Sequence, residues 1–192
     1  MRILFTILVS ILFFSKLLGQ DKYEKEYRIS IDAVPSAALS YVQKFDFDKK
    51  VKWYREESLS LSSIEAKIKW NKQRYSIEFD TTGLLQDIEI TINFEAISIP
   101  AQQAICEALT NEFDRYKLKK IQRQYSGNKT FILAYLSQEE KILNPEVKIQ
   151  FEIVLEGKTE ASVNLYEYTF SQQGKLINKR RIVLRNTDIL EY

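Results

Sequence analysis

The chain has 192 residues, with 28 Lys and Arg, 26 Asp and Glu, one Cys and no His. A hydrophobic fraction of 45% and a formal net charge of +2 are typical of a globular protein with one large or two small domains. The absence of His excludes His-based catalytic triads, imidazole metal ligands and histidine pH switches. A single Cys excludes a disulfide within the chain, so apolar burial must stabilise the fold.

The N-terminal segment 1–20 has the pattern of a secretory signal peptide. Arg2 precedes an apolar run over 3–14, and charged residues follow the segment directly. This run of about a dozen residues is shorter than the roughly 20 that a membrane-spanning helix needs. We therefore expect cleavage near Gly19 or Gln20, a periplasmic or secreted product, and no stable membrane insertion after the signal is removed.

Two stretches of the chain show the same order of predicted elements. A proline in the first turn begins a helical pattern at Val34-Pro35 and another at Ile99-Pro100. Apolar and polar residues alternate after each helix, as in half-buried antiparallel strands. The predicted strands cover 51–55, 64–70, 74–79 and 84–92 in the first stretch, and 121–125, 147–153, 163–170 and 176–184 in the second. Strand 84–92 is expected to be an exposed edge that could pair between chains.

Glycine-containing turns separate several of these strands. Turns are predicted at 80–83 and 171–174, because glycine tolerates positive φ, and also at 126–129 and 156–158. The segments 75–85 and 166–176 carry Tyr, Phe, Gly and Leu at the same offsets, which indicates an internal duplication. We expect a first unit over 21–95 and a second over 96–192. An insertion near 127–145 is predicted to form an extra strand or a partner-binding flap over 131–136.

These patterns resemble the PepSY-like, or β-lactamase-inhibitor-like (BLIP-like), exported bacterial proteins. The resemblance covers about residues 30–185 and is carried by Val34-Pro35, Lys49 to Trp53 and Glu78 to Gly83, and in the second copy by Ile99-Pro100, Lys119 to Ile121 and Phe170 to Gly174. It implies an α+β fold of two tandem units, each an N-terminal helix packed on a four-stranded antiparallel sheet. The two sheets could form one continuous curved sheet. It also implies a role in binding or inhibition, and it brings no catalytic residue.

Aromatic residues make up 12% of the chain and are the best candidates for a protein-binding surface. The candidates on predicted strands are Tyr54, Trp53, Trp70, Tyr125 and Tyr168. Successive side chains on a strand point to opposite faces, so Trp53 and Tyr54 cannot both be exposed. Tyr54, on the polar face, is the preferred contact, whereas Trp53, Trp70 and Tyr75 could fill the core. Cys106 lies in an apolar helical pattern and is expected to be a small buried residue.

The leading hypothesis is an exported non-enzymatic module that binds another exported or envelope protein through a curved sheet surface, and that could inhibit an exported hydrolase. The alternative is a binder of a small apolar ligand or envelope polymer in a pocket between helix and sheet, lined by residues such as Phe113 and Phe151. We predict no cofactor, no metal and no enzyme. An enzyme would require a cleft in which two carboxylates of perturbed pKa converge.

Basic residues are grouped at 117–123 and 179–181. They could line a groove for an anionic partner, although solvated charges balanced by nearby glutamates are the simpler interpretation. Without the segment 1–20, basic and acidic residues are equal in number. We therefore expect no nucleic-acid partner, since binding to phosphates is usually accompanied by a basic excess. The sequence leaves the oligomeric state open.

Overall fold

The computed structural model describes residues 20–45, 47, 50–58, 61–70, 72–136 and 144–183. The predicted signal peptide, apart from Gln20, lies outside these ranges. So do residues 137–143 of the predicted insertion and the end of the last predicted strand at Leu184. Within the described residues the fold is mixed α+β, with three α-helices and one ten-stranded sheet.

The strands and helices alternate in blocks along the chain. The strands are β1 Gln20–Lys22, β2 Glu24–Arg28, β3 Lys52–Ser58, β4 Ser62–Trp70, β5 Gln73–Asp80, β6 Leu85–Thr91, β7 Arg115–Gly127, β8 Val147–Lys158, β9 Val163–Ser171 and β10 Leu176–Ile182. The helices are α1 Ser36–Val42, α2 Ile99–Glu112 and α3 Lys129–Leu136. Short 3-10 helices at Ile31–Ala33 and Phe94–Ala96 precede α1 and α2.

All ten strands belong to one sheet, in the order β1-β10-β9-β8-β7-β6-β5-β4-β3-β2. Neighbours are antiparallel except for β1 and β10, which are parallel. The layout of two four-stranded units is not shown, because β6 pairs directly with β7 and places Ile88 opposite Tyr125. For the same reason, the prediction that strand 84–92 is an exposed edge is wrong. The expectation that the strands could form one continuous curved sheet is confirmed.

The sheet curls until its two edges meet. Strands β1 and β2 stand at opposite ends of the strand order, yet only Tyr23 separates them in the chain. One residue of extended chain spans about 3.3 Å, so the first edge and the last edge are adjacent at this point. The right-handed twist of neighbouring strands accumulates over a sheet and permits this curling. We call the enclosed surface the interior face and the opposite surface the helix face.

The helix face holds the apolar core in two clusters. In the first, Ala38 and Val42 of α1 pack with Ile77 and Phe79 of β5. In the second, Ile105 and Leu109 of α2 pack with the strand residues Phe151, Ile153, Leu155, Tyr168 and Phe170. The alternating pattern in the sequence thus places its apolar residues under the helices. The polar residues of the same strands must lie on the interior face.

Two turn predictions and the extra strand are wrong. Strand β8 continues through 156–158, because Gly157 makes room for the ring of Phe113, and the chain turns at 159–162 instead. Residues 126–129 are not a hairpin turn, because they join β7 to α3. At the start of this helix, the Asn128 side-chain oxygen accepts a hydrogen bond from the Thr130 backbone N–H at 3.1 Å. The segment 131–136 is helical, within α3, and buries Ile132 completely.

Other local predictions are confirmed. The turns at 80–83 and 171–174 are present, with φ of 89° at Gly83 and 83° at Gly174. Both predicted helices begin at their prolines. Cys106, however, is half-buried, because it lies on the flank of α2 beside the buried stripe formed by Ala101, Ile105 and Leu109.

Candidate functional site on the interior face

The interior face carries polar residues that are buried although no described helix covers them. The buried members are Glu65, Ser76, Glu89, Gln122, Gln150 and Glu167. Burying a charged or polar group costs free energy unless a partner compensates it. The curled sheet itself encloses these residues, so this face is a concave polar surface. It contains two cavities of opposite charge.

The acidic cavity has a volume of about 900 Å³ and reaches from β1 and β10 to β3 and β4. Its centre is formed by Glu78, Asp87 and Glu89, each of which has a carboxylate oxygen within 4.8 Å of the other two. Strand pairing explains this proximity, because Glu78 on β5 stands directly opposite Asp87 on β6. Glu89 follows two residues later on the same face.

Gln124 is the hydrogen-bond donor that the structure records for this group. Its side-chain Nε2 donates to Asp87 Oδ2 at 3.2 Å and to Glu89 Oε1 at 3.4 Å. Asp87 Oδ1 is buried without a hydrogen-bond partner. Among the described residues, no Lys or Arg lies within 4.0 Å of the carboxylates of Glu78, Asp87 or Glu89. The negative charges of this cluster are therefore not neutralised by a direct ion pair.

Burial and nearby negative charge raise the pKa values of these carboxyl groups. Burial, together with the negative charge of Glu65, raises the pKa of Asp87 to about 7. Burial, followed by nearby carboxylates, also raises the pKa of Glu78 and of Glu89 well above the usual value. Burial and the charge of Glu167 raise the pKa of Glu152, which lines the same cavity, to about 7. At neutral pH the cluster therefore retains some of its protons.

Two other buried carboxylates are directly paired with cations. Lys22 Nζ lies 2.5 Å from Glu167, and Arg180 also pairs with Glu167. Burial favours a higher pKa for Glu167, but these two cations hold it below its usual value. Lys67 lies between Glu65, at 3.2 Å, and Glu26. In the part of the chain that the structure describes, Glu78, Asp87, Glu89 and Glu152 line the acidic cavity without a direct ion pair.

The second cavity, which we call the basic groove, has a volume of about 790 Å³ at the other end of the interior face. Its cationic lining residues are Lys50, Lys52, Lys67, Lys69, Arg74, Lys119 and Lys120, and its carboxylate is Glu95. Arg74 and Glu78 are four residues apart on β5, which corresponds to about 13 Å along the strand. The interior face therefore has an acidic end and a basic end a short distance apart.

The aromatic candidates from the sequence occupy different places. Trp53, Tyr125 and Tyr168 are buried on the helix face, so these three do not form an exposed contact surface. The cause is strand alternation, which directs each of them under the helices. Trp70 is half-buried against Phe47, with ring centroids 5.5 Å apart.

Tyr54 is the candidate that lies on the interior face. It is half-buried, and Lys67 Nζ stands 4.9 Å from the centroid of its ring. The predicted contact residue is thus next to the ion-pair network of β4. The interior carboxylates were missed from the sequence, although they occupy the polar positions of the alternating strands. The only sequence signal was that acidic residues recur at these positions, and it gives no indication of burial.

An apolar pocket between helix and sheet exists, but not at the expected place. Phe113 and Phe151 are buried in the packed second core cluster. A pocket of about 680 Å³ lies instead beside α1, with Ile29, Leu39 and Trp53 among its lining residues.

The fold resembles those of three solved Bacteroides proteins. A DUF2874 family protein from Bacteroides ovatus ATCC 8483 matches with a TM-score of 0.51 and 12% identity, over 77% of this chain and 87% of that one. A "putative periplasmic" protein from Bacteroides eggerthii DSM 20697 matches with a TM-score of 0.51 and 13% identity, over 77% of this chain and 88% of that one. A BLIP-like protein from Bacteroides fragilis NCTC 9343 matches with a TM-score of 0.50 and 14% identity, over 79% of this chain and 89% of that one. No family model matches the chain, and no curated protein matches it significantly. At these identities the similarity shows the fold alone.

Among the described residues, none of the helices combines the length and the apolar character needed to cross a membrane.

Proposed function

We propose that the chain is an exported, non-enzymatic binding module that holds another exported or envelope protein against its interior face. The observation that carries this proposal is the uncompensated charge on that face. Buried ionisable groups without ion-pair partners destabilise a folded protein, whether they are charged or are kept protonated, so their presence in a concave surface is best explained by a ligand that pairs with them. The similarity to a BLIP-like fold supports a binding role.

The proposal that the chain consists of two tandem units rests on the order of its helices and strands. A 3-10 helix, an α-helix and strands β3–β6 occur in the same order as a second 3-10 helix, α2 and strands β7–β10, with α3 between β7 and β8. Gly83 contacts the start of α1 and Gly174 contacts the start of α2. These equivalent contacts support two related tandem units of the PepSY-like kind.

A location outside the cytoplasm is supported by the signal-like segment 1–20 and by the similarity to a protein described as periplasmic.

Inhibition of an exported hydrolase is one form that this binding could take. A concave face that encloses a loop of the hydrolase would block access of its substrate by occlusion, without chemistry by this chain. Tyr54 is placed to contribute to such a contact, because it combines apolar area with a position beside the charged network.

Affinity capture tests the proposal. The bait would be residues 21–192, incubated with envelope and culture-supernatant extracts of the organism that makes the protein. Tyr54→Ala and the conservative Tyr54→Phe would be run in parallel, each checked for folding by thermal unfolding. We expect one stoichiometric protein to be retained by the wild type and by Tyr54→Phe, and to be lost with Tyr54→Ala. Equal retention by all three baits would contradict a role for this face.

A specific observation favours a second candidate function. The acidic cavity is a cleft in which carboxylates of raised pKa converge, which is the arrangement required for an enzyme. Asp87, with a pKa of about 7, could exchange a proton at neutral pH with a substrate held beside Glu78 and Glu89. Retaining glycoside hydrolases place their two carboxyl groups at a similarly short separation, about 5 Å.

Hydrolysis of chromogenic glycosides and of envelope polysaccharides tests this candidate. Turnover by the wild type that is abolished in Asp87→Asn, with the fold intact, would establish an enzyme. Equal rates in the wild type, in Asp87→Asn and in buffer would leave the binding module as the function.

A further inference from the structure

The basic groove contains exposed cations that no direct ion pair with a described residue neutralises. Lys119 pairs with Glu156 at 2.9 Å, and Lys67 is paired with glutamates. Lys52, Lys69, Arg74 and Lys120 make no ion pair within 4.0 Å in the part of the chain that the structure describes. Three of these residues come from the neighbouring strands β3, β4 and β5 and the fourth from β7, and all four line one cavity. Mutual repulsion among them favours an anionic occupant.

The groove also contains a buried polar group without a partner. Gln122 on β7 is 2% exposed, and its side-chain carbonyl oxygen Oε1 accepts no hydrogen bond. A buried acceptor left unpaired destabilises the fold, so an occupant that supplies an N–H or O–H would relieve that cost. Tyr75, Ile92 and Phe94 also line the cavity, although these side chains pack against the core clusters of the helix face.

The spacing of the polar groups is that of an extended chain. Lys67 and Lys69 are two residues apart on β4, and Lys120 and Gln122 are two residues apart on β7. An extended peptide repeats its side chains over the same two-residue interval, about 6.6 Å. Carboxylates at alternate positions of such a peptide could face these cations. The intervening side chains would point away from the cations.

We propose that the basic groove binds an acidic segment of a partner protein, in which Asp or Glu occupies alternate positions. The inference rests on the proposed function, because it specifies the chemistry of the partner that the interior face holds. A peptide supplies the carboxylates for Lys52, Lys69, Arg74 and Lys120 and a backbone N–H for Gln122. Inorganic phosphate supplies negative charge at one point only and cannot span cations that are two residues apart along the strands.

The probe is a fluorescein-labelled peptide of alternating Glu and Leu, long enough to span the groove, with binding measured by fluorescence anisotropy. The groove variant is Lys69→Glu/Arg74→Glu. The matched control is Lys158→Glu/Lys175→Glu, which makes the same change of net charge at exposed residues outside the groove. We expect the groove variant to bind at least about tenfold more weakly than the wild type. The control should bind within about twofold of the wild type, and binding should weaken with salt.

Gln122→Met gives a second, independent readout. Methionine has nearly the volume of glutamine and lacks the unpaired carbonyl, so the fold should be retained. We expect the peptide to bind about threefold more weakly to this variant, while competition by tripolyphosphate is unchanged. Equal weakening in the groove variant and the control, or tighter binding of an acidic oligosaccharide such as oligogalacturonate than of the peptide, would overturn the inference.

The groove variant also separates this inference from the proposed function. If the groove variant captures the partner as well as the wild type does, the groove is not the contact, although binding through the interior face still stands. If the wild type captures no exported protein but binds the peptide with the expected losses, the groove chemistry is established and the proposed function fails.

Discussion

A Cβ atom added to Gly83 would lie 2.9 Å from the backbone nitrogen of Ala38 and 2.8 Å from Cβ of Pro35. The turn between β5 and β6 is therefore in direct contact with the first turn of α1. Gly174 has the corresponding relationship to α2, since a Cβ there would lie 2.5 Å from the backbone oxygen of Ala101. In both halves a glycine with positive φ thus fixes the helix against the sheet.

Replacing Gly83 with alanine should lower the free energy of unfolding by about 2 kcal/mol or more. The positive φ of 89° costs roughly 1–2 kcal/mol for a residue with a Cβ, and the close approach to α1 adds to it. Chemical denaturation would measure the change. Gly83→Asn is the control, because asparagine tolerates positive φ but keeps the Cβ. If it unfolds like the wild type, the contact with α1 is unimportant.

Replacing Lys72 with glycine should raise the free energy of unfolding, because Lys72 has a positive φ of 65° in the turn between β4 and β5. Lys72→Gly removes the steric cost of the left-handed conformation, so the free energy of unfolding should rise by up to about 1 kcal/mol. Lys72→Ala keeps a Cβ and should not show this gain. A destabilised glycine variant would contradict the prediction.

Strand β8 should not tolerate a side chain at Gly157. A Cβ there would lie 2.4 Å from Cε1 of Phe113, whose ring is buried. Gly157→Ala should cost about 1–3 kcal/mol, as overpacked cores do. Adding Phe113→Leu should recover part of that loss in a double-mutant cycle. Additive losses would show that the two residues are not in contact.

The acidic cavity predicts a pH dependence of stability. The pKa of Asp87 is about 7 in the folded chain and 3.8 in its usual state, so the folded chain binds the proton more tightly. The stability that this tighter proton binding contributes is at its full value below about pH 4 and is lost as pH rises through about 7. Asp87→Asn, which cannot ionise, should therefore raise the free energy of unfolding at about pH 8 by roughly 1–3 kcal/mol relative to wild type.

The comparison requires urea unfolding at about pH 5 and about pH 8. The gain from Asp87→Asn should be smaller at the lower pH, and it should disappear only below about pH 4, where Asp87 is protonated in both the folded and the unfolded chain. Glu160→Gln, at an exposed residue outside the cavity, is the control and should change stability little at either pH. A gain that is the same at both pH values would argue against an ionisation effect.

Much of the fold could be predicted because its signals are local. The alternation at 64–70 and 74–79 corresponds to β4 and β5, and the prolines at 35 and 100 mark the starts of α1 and α2. The short apolar run at 131–136 could not be assigned in this way, since a run of this length suits a strand or a buried helix equally. Gly157 suggested a turn, whereas a glycine inside a strand can also mark a close approach, here to a ring 44 residues earlier in the chain.

The interior face could not be predicted, because its burial is a property of the whole sheet. Glu65 and Glu89 occupy polar positions of alternating strands, a pattern that normally indicates contact with solvent. They become buried only because the sheet curls until β1, paired with β10, meets β2, paired with β3. That closure joins segments about 160 residues apart, such as Asp21 and Arg181, and local periodicity gives no indication of it.

Site-specific photo-cross-linking tests the central claim most directly. A photoreactive phenylalanine analogue would be placed at Tyr54 on the interior face and, in a separate variant, at the exposed Glu107 of α2 on the opposite side, and both would be irradiated in cells of the native organism. If the interior face is the binding surface, a discrete covalent adduct with one exported protein forms from position 54 and not from position 107. An adduct from position 107 alone would show that the partner binds the helices and would contradict the account.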